Sequence, residues 1–270
     1  MDTSATMNKE LRDATVNRKK RPGYRCLGKQ RDGNYAIMVG AVTGTVGGDQ
    51  LMRLATIVKK YAAGGHFTTA QSMVIVGIKE ENFNDAKQAV IEAGFDIRSI
   101  GRDVRQVKCC AGANLSPFGL QKTPPLGQEL EEMFRGLPTP MKFKISVSGC
   151  PNCCANTMLN DFGIHGMMNG WKIFIGGKMG TKPAIAQELA KLVLTDDVSR
   201  YLAAVLRVYK ENAEQDERLS KTLSRIGFET FKSEVEAKLD TPFDDFIKEA
   251  KNARETAEKS ICIEHIKEQL

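Results

Sequence analysis

The chain has 270 residues, of which 41% are hydrophobic and 27% are charged, and its formal net charge is +6 at pH 7. This composition is ordinary for a globular protein with a sizeable core. The N-terminal stretch MDTSATMNKELRDATVNRKK lacks the apolar core of a signal peptide, and no apolar run approaches the length of a membrane span. We therefore expect a cytoplasmic protein without membrane insertion, whose seven cysteines stay reduced rather than forming a disulfide framework.

Basic residues cluster near the start of the chain, at Arg18, Lys19, Lys20, Arg21 and Arg25. Such a cluster can favour nucleic acid, an acidic protein partner or a polyanionic cofactor. No aromatic-rich RNA-binding strand accompanies the charge, so we expect no nucleic-acid binding. Residues 1–22 are predicted to form a basic N-terminal arm.

The chain from Tyr35 onward alternates strand-like and helix-like segments. The run YAIMV is apolar and β-prone, which predicts a strand. The segment DQLMRLATIVKKYA repeats apolar residues at helical spacing and predicts an amphipathic helix that is ended by Gly64 and Gly65. The apolar face of this helix consists of Leu51, Leu54, Ile57, Val58 and Tyr61.

A second strand and a second helix follow directly. FTTAQSMVIVGI is rich in β-branched residues and predicts a strand. NFNDAKQAVIEAGF predicts a helix with Asn82 or Asn84 as its N-cap and Gly94 as its C-terminal stop. This order of elements predicts a ferredoxin-like half-domain over residues 23–98.

The rest of the chain divides into two sections. Residues 99–195 hold two predicted strands, KFKISVS and GWKIFIGG, and then the turn GGKMGTKP, which is predicted to precede a helix. Residues 196–270 interleave charges with apolar residues, which predicts an almost wholly helical C-terminal segment with a break at Pro242.

Five of the cysteines fall into two groups: Cys109 and Cys110, then Cys150, Cys153 and Cys154. Thiolates held close together repel one another, which favours a soft metal ion or an iron–sulfur cluster, and a [4Fe–4S] cluster usually takes four cysteines. Zinc is an alternative, but an adjacent cysteine pair is a poor bite for one tetrahedral ion. Unliganded or redox-active thiols are the third possibility.

The two cysteine segments resemble the signature of the sirohaem and [4Fe–4S] sulfite and nitrite reductases. That signature is C-x5-C, followed a few dozen residues later by C-x3-C within SGCPNxC. SGCPNCCA contains Cys150 and Cys154 at the second spacing, and CAGANLSPFGLQKT, which begins at Cys110, is similar to the first half in length and flanks. The resemblance covers about residues 23–235 and includes DERLSKTLSRIGFETF.

The resemblance implies an α+β fold. The ferredoxin-like half-domain is followed by an α/β domain of the [4Fe–4S] and sirohaem type over residues 99–195, and by the helical segment 196–270. In the family, four cysteines hold the cluster and the last of them also bridges to the sirohaem iron. By position Cys110, Cys150 and Cys154 correspond to three of the four, and Cys154 would be the bridge.

The first departure from the family pattern is at the fourth cluster ligand, where this chain has Ser116. A serine alkoxide can bind iron but is a harder ligand than a thiolate. Cys109 and Cys153 are each adjacent to a matched cysteine and are alternative ligands. An external ligand, or none, is the remaining possibility, and either cysteine can instead be a buried apolar side chain.

The second departure concerns the substrate. Family members carry an arginine in a T-T-R-Q-like run beside the haem, whereas this chain has TTAQ with Ala70, and its first strand offers no arginine. Lys142 and Lys144 are two residues apart, so on a strand both face one side. In the family a similar K-x-K pair assists anion binding and protonation, which makes these two lysines the candidate catalytic residues.

Cations also flank the first cysteine group. They are Arg102, Arg105, Lys108 and Lys122. Sirohaem carries eight carboxylates, so the resemblance implies cationic partners for it. We expect Arg105 and Lys108 to be cofactor-binding residues.

From the sequence alone, two functions remain open, and so does a third hypothesis with a different type of cluster. The resemblance implies a sulfite or nitrite reductase-like enzyme that delivers six electrons to a small oxyanion. The alternative is a non-catalytic [4Fe–4S] electron-transfer or tetrapyrrole-binding subunit, which Ala70 and Ser116 favour. The third hypothesis joins the adjacent cysteine pair to Cys150 and Cys153 as a different cluster, in which Cys153 is essential.

The resemblance also implies partners. The chain has no flavin or nicotinamide motif, so electrons would come from a ferredoxin-like donor or a redox subunit. Most enzymes of the family contain two repeats with the haem between them, and this chain has one. We therefore expect a homodimer or a complex with a related subunit.

Overall fold

The computed structural model describes residues 28–30, 32–98 and 101–260, with the side chains of residues 259 and 260 excepted. The predicted basic arm, residues 1–22, lies outside the described residues. None of the described helices combines the length and apolarity that a membrane span requires.

The first unit is a four-stranded antiparallel sheet with two helices. Its strand order is β2-β3-β1-β4, which is the ferredoxin-like arrangement expected from the sequence. Tyr35, Ile75 and Phe83 are fully buried between the sheet and the helices. The elements are β1 (Tyr35–Gly40), α1 (Gly48–Tyr61), β2 (Gly64–Phe67), β3 (Ser72–Ile78), α2 (Phe83–Glu92) and β4 (Asp96–Ile97).

The predicted end of α1 is wrong in detail. The helix ends at Tyr61, and Gly64 and Gly65 lie in β2 because they pair with β3. Leu54 and Ile57 form the buried part of the predicted apolar face, whereas Leu51 is 49% exposed. FTTAQSMVIVGI is accordingly not one strand: its first residue ends β2, and β3 begins only at Ser72.

The ends of α2 agree in part with their predictions. Asn82 precedes the helix but makes no side-chain capping hydrogen bond, and Asn84 lies within the helix. Gly94 follows the helix with φ +81°, in the left-handed region that glycine adopts without strain. The glycine stop is therefore confirmed.

The second unit is a five-stranded mixed sheet in the order β5-β6-β7-β8-β9. Strands β5, β6 and β7 are parallel, and β8 and β9 continue the sheet antiparallel. The residues of β6 are all buried, as expected for a strand with parallel neighbours on both sides. The elements are β5 (Lys108–Cys109), α3 (Thr123–Phe134), β6 (Ile145–Ser148), β7 (Phe162–Met167), β8 (Gly170–Ile175) and β9 (Gln187–Val193).

The helix predicted after GGKMGTKP is a strand, and that prediction is wrong. Leu189 and Val193 are the buried residues of this segment, and a spacing of four fits one helical face and also every second residue of a strand. The exposed edge of β8 decides between them, because β9 pairs with it antiparallel. The pairing satisfies backbone groups that would otherwise stay open on that edge.

Four helices complete the second unit, as the sequence predicted for the described part of this segment. Leu202, Phe231 and Phe246 from these helices lie in the same core as Phe143 and the sheet. Pro242 lies between the last two helices, where the break was expected. The helices are α4 (Val198–Asn212), α5 (Leu219–Ile226), α6 (Phe228–Ala237) and α7 (Asp244–Ser260).

The carboxylate of Glu217 gives a pH-dependent contribution to stability. It accepts hydrogen bonds from Arg225 (2.8 and 3.1 Å), the Thr222 hydroxyl (3.0 Å) and the Glu214 N–H (3.0 Å). These donors, the Arg225 guanidinium first, lower the pKa of Glu217 to about 2. Since the unfolded value is about 4.3, the contribution is fully present above that pH and is lost as the pH falls through about 2.

We predict that Glu217→Gln lowers the free energy of unfolding by about 1–3 kcal/mol at pH 7, and by progressively less below about pH 4. Urea titrations of both proteins at pH 7 and pH 3 measure this difference. Glu214→Gln is the matched control, because the Glu214 side chain is largely exposed and lies 3.8 Å from Arg225. An equal loss at both pH values would contradict the assignment.

Candidate functional site

The two cysteine segments meet through backbone hydrogen bonds at the carboxyl ends of β5 and β6. The Cys110 N–H donates to the Val147 carbonyl (3.0 Å), and the Gly149 N–H donates to Cys110 Sγ (3.1 Å). The N–H groups of Leu120 and Gln121 both donate to the Gly149 carbonyl (2.8 and 3.0 Å). The loop after β5 is therefore fixed against the residue that directly precedes the second cysteine group.

Glycine is required at this contact. A Cβ on Gly149 would lie 2.7 Å from the Gln121 carbonyl oxygen and 2.9 Å from the Gly112 Cα. A Cβ on Gly166 of β7 would lie 2.4 Å from the Gly149 carbonyl oxygen. The three backbone segments consequently approach one another without intervening side chains, which gives the glycine of SGCPNCC a structural reason.

The three cysteines that match the family motif lie on these two segments. Cys110 is partly exposed, Cys150 is 8% exposed, and Cys154 is exposed. Ser116 lies in the loop after Cys110, partly exposed, and its Oγ accepts the Phe118 N–H (3.3 Å). The structure thus places all four positions on two segments that are hydrogen-bonded to each other.

The Cys109 side chain faces helix α3 in the core of the second unit. Its thiol lies 3.6 Å from the Thr123 carbonyl oxygen, and a Cβ on Gly127 of α3 would lie 2.1 Å from its Sγ. Burial is the main reason that its pKa is raised far above the ordinary value. These contacts are those of a small apolar side chain in the core and do not support the prediction of Cys109 as a cluster ligand.

Cys153 has a different environment from its neighbours. Its backbone is left-handed (φ +60°), and its Sγ lies 3.1 Å from the Thr157 hydroxyl, which in turn bonds to Nε2 of the buried His165. Burial lowers the pKa of Lys108, and the charge of the Cys153 thiolate acts in the opposite direction. Cys153 is therefore close enough to Lys108 for the two charges to interact.

The donor set at this edge fits an iron–sulfur cluster held by three thiolates. Within the described residues, no group of three or more His, Cys, Asp or Glu side chains is placed to hold a single metal ion. A [4Fe–4S] cluster distributes its ligands over four iron atoms, so its thiolates need not converge on one point. The Gly149 N–H already donates to Cys110 Sγ, and such donors tune an iron–sulfur centre.

A cleft of about 380 Å³ lies between the two units, and we name it the basic cleft. Cations outnumber acids among the side chains that line it, by seven to three. The cations are Arg98, Arg105, Lys108, Arg135, Lys142, Lys144 and Arg254, and the acids are Asp96, Asp103 and Glu258.

The four cations that the sequence analysis assigned to the site line one cleft: Arg105, Lys108, Lys142 and Lys144. Arg102 and Lys122, which also flank the first cysteine group, are not part of its lining. Lys142 and Lys144 flank the fully buried Phe143, so both face the same side as expected, although β6 itself begins only at Ile145. Burial is the main reason that the pKa values of both lysines are lowered. Neighbouring cations, including Arg218, lower the two pKa values further.

Ion pairing is uneven within the basic cleft. Arg98 forms an ion pair with Glu131 (2.5 Å), and Arg135 donates to Asp96 (3.1 Å). Three lysines of the cleft, by contrast, form no ion pair with any residue in the described ranges: Lys108, Lys142 and Lys144. Their charges are therefore available to an anionic ligand. A polyanionic tetrapyrrole fits this donor set.

Ala70 lies on the turn between β2 and β3 and lines the basic cleft. Gln106 bonds to its carbonyl oxygen, which joins this turn to the second unit. The position that carries arginine in the family run therefore borders the cleft here without a cation. Lys142 and Lys144, the candidate catalytic residues from the sequence, line the same cleft.

Sequence patterns did not indicate several cleft residues. Arg98 directly follows β4 and Arg135 directly follows α3, so neither belongs to a recognisable motif. Asn156 and Asn160 line the cleft just after the cysteines, and Asn160 Nδ2 donates to the Asn156 carbonyl (2.8 Å). Two asparagines four residues apart beside the cysteine motif were the available signal for that part of the wall.

Two family models match the chain. The model for the nitrite and sulphite reductase 4Fe-4S domain matches residues 100–243, and the model for the nitrite/sulfite reductase ferredoxin-like half domain matches residues 28–93. The first match includes helices α4 to α6, which share the core of the five-stranded sheet.

Two curated relatives and one solved structure are similar to the chain. It is 33% identical to an NAD(P)H nitrite reductase of Bacillus subtilis (strain 168) over 79% of this chain, but spans only 26% of that protein. It is 31% identical to an assimilatory-type sulfite reductase of Nitratidesulfovibrio vulgaris, over 76% of this chain and 94% of that protein. The Mycobacterium tuberculosis NirA protein has a similar fold, with a TM-score of 0.67 at 22% identity over 80% of this chain and 42% of that one.

The contact between Cys109 and Gly127 gives a test of the role of this cysteine. We predict that Gly127→Ala lowers the free energy of unfolding by about 1–3 kcal/mol, because the new Cβ overlaps the Cys109 thiol. Adding Cys109→Ala should restore part of the loss. Urea denaturation of anaerobically purified protein measures both effects.

Gln128→Ala, at an exposed neighbouring position on α3, is the control for changes in helix propensity. The iron content of Cys109→Ala should equal that of the unaltered protein, because the thiol faces the core. A loss of iron in Cys109→Ala, together with strictly additive effects in the double variant, would show that Cys109 is a ligand.

Proposed function

Since the chain belongs to the nitrite and sulphite reductase family, we propose that it is a redox protein that reduces sulfite or nitrite with a [4Fe–4S] cluster and sirohaem. The observation that carries this proposal is a cleft with lysines that form no ion pair with any described residue. Its lining includes Lys108 and Asn156, which lie within two residues of the two cysteine groups along the chain. The arrangement supports electron delivery into an anion-binding site.

The proposed cluster ligands are Cys110, Cys150 and Cys154. The fourth position falls to Ser116, to Cys153 or to an external ligand, since the Cys109 thiol packs against α3. A [4Fe–4S] cluster supplies one electron at a time, and a six-electron reduction needs such sequential delivery. The protein contributes the fixed edge of the sheet and the N–H donor to Cys110 Sγ.

The basic cleft is the proposed sirohaem site. Arg105 and Lys108 both line it. Arg105 is paired with Asp103 (3.1 Å), whereas Lys108 forms no ion pair with any described residue and is the more available of the two to a ligand carboxylate. The tetrapyrrole iron supplies the centre at which the anion is reduced when the group is bound. The residues of the chain bind the carboxylates and leave the two catalytic lysines free.

Lys142 and Lys144 are the proposed anion-binding and proton-donating residues. Both are partly buried, and both have pKa values lowered by burial and by neighbouring cations. A lysine with a lowered pKa is a stronger acid, and it still attracts an oxyanion while it is protonated. The lysines therefore fit a reduction that consumes protons at an anionic substrate.

Electron donors and subunits are part of the same proposal. Three large apolar side chains are exposed on or beside the cysteine loop: Leu115 (83%), Phe118 (69%) and Met168 (74%). Exposed apolar groups so close to a redox centre support docking of a ferredoxin-like donor or a redox subunit. We place the protein in the cytoplasm, as a homodimer or in a complex with a related subunit.

We predict that Lys142→Met and Lys144→Met each lower kcat/KM for the reduced anion by about 10–100-fold, because each removes a charged donor worth about 1.5–3 kcal/mol. Reduced viologen with sulfite or nitrite as acceptor measures the rate. Lys122→Met is the control, since Lys122 is exposed and does not line the basic cleft.

The cofactor content of every variant should match that of the unaltered protein. If the unaltered protein holds both cofactors and reduces neither anion, it is the non-catalytic electron-transfer or tetrapyrrole-binding subunit. If activity survives both lysine substitutions, the lysines are not the catalytic cations.

A further inference from the structure

Helix α7 connects the two units across one end of the basic cleft. Its first half belongs to the second unit, where Phe246 and Ala250 are buried in the core and the Arg207 guanidinium lies 4.5 Å from the centre of the Phe246 ring. Farther along, Lys87 of α2 donates to the Glu258 carbonyl oxygen (3.2 Å), which ties the helix to the first unit. The match to the family model ends at residue 243, just before this helix begins.

The second half of α7 forms part of the cleft wall through Ala253, Arg254 and Ala257. Arg254 is held in place: its Nη1 donates to the Arg135 carbonyl oxygen (2.7 Å), and a Cβ on Gly136 would lie 2.9 Å from its Cγ. The close contact with Gly136 leaves the Arg254 stem little freedom.

Arg254 differs from the other arginines at this end of the cleft. Arg98 and Arg135 are paired with the carboxylates of Glu131 and Asp96. Arg254 has no such ion pair with any residue in the part of the chain that the structure describes. The carboxylates of Asp96, Glu131, Glu132 and Glu255 favour the charged form of Arg254 without forming an ion pair with it. A guanidinium that is anchored, partly buried and not directly paired with a carboxylate is suited to bind a carboxylate from a ligand.

We propose that Arg254 binds a carboxylate side chain of the octacarboxylate tetrapyrrole, and that α7 thereby clamps this ligand between the two units. This inference rests on the proposed function, because it needs a tetrapyrrole in the basic cleft. It adds to the ligand site a residue from a helix beyond the region that matches the family model.

The test compares full-length protein, produced with its cofactors and purified without oxygen, with the variants Arg254→Gln, Arg254→Lys and Lys251→Gln. Lys251 lies on the exposed face of the same helix, so Lys251→Gln makes the same charge change away from the cleft. Bound tetrapyrrole is quantified per chain, and its dissociation is followed by absorbance at several salt concentrations.

We expect Arg254→Gln to release the tetrapyrrole about tenfold faster or more, with a weaker dependence on salt, because one charge-assisted contact is lost. The release rate for Arg254→Lys should lie between those of the unaltered protein and Arg254→Gln, since lysine keeps the charge but not the two-pronged donor. Lys251→Gln should match the unaltered protein. Circular dichroism and the cluster absorbance should be the same in all four proteins.

Two other outcomes distinguish a failure of this inference from a failure of the proposed function. If the unaltered protein retains the tetrapyrrole and Arg254→Gln releases it no faster than Lys251→Gln does, the role of Arg254 is overturned and the proposed function stands. If the unaltered protein contains no tetrapyrrole, the sirohaem part of the proposed function fails and this inference fails with it.

Discussion

The contact of the loop after β5 with Gly149 determines the geometry of the whole site. Two backbone N–H groups of the loop donate to the Gly149 carbonyl, and the Gly149 N–H donates to Cys110 Sγ. Because a Cβ on Gly149 would overlap this loop, the approach is possible only for glycine. Segments far apart in sequence are thereby fixed to each other at the carboxyl ends of β5 and β6, and this contact sets the positions of Cys110 and Cys150.

The charges of the basic cleft are positioned by a buried ion pair behind it. Asp161 is fully buried, accepts two bonds from Arg218 (2.6 and 3.1 Å), and also accepts the backbone N–H of Lys144 (2.9 Å). Removing one member of such a pair leaves an uncompensated buried charge, which is strongly destabilising. The backbone of Lys144, one of the two proposed catalytic residues, is thus tied to the core. Its side chain lines the cleft and forms no ion pair with any residue that the structure describes. Lys144 thus combines a fixed backbone position with a side-chain charge that is available to a ligand.

Much of this architecture could be predicted from the sequence, wherever local patterns agree with the tertiary packing. The ferredoxin-like unit followed from periodicity, and the two cysteine segments and the K-x-K pair followed from motifs. Local pattern failed at β9, where Leu189 and Val193 fit both a helix and a strand and only the open edge of β8 decided. It also failed for Cys109, because spacing does not show that its thiol faces α3. The position of Arg254 at the cleft could not be predicted from the sequence, because only the tertiary fold brings α7 to the cleft.

The most direct test of the account is the cofactor content of the protein purified without oxygen, measured as iron, acid-labile sulfide and extractable tetrapyrrole alongside the absorption spectrum. The account predicts a tetrapyrrole with a Soret band and red-region absorption, and more iron than the about four atoms per chain of a [4Fe–4S] cluster. A spectrum that shows only a cluster bleaching on reduction, with no extractable tetrapyrrole, would contradict it. The protein would then transfer electrons through the cluster and would not reduce an anion in the basic cleft.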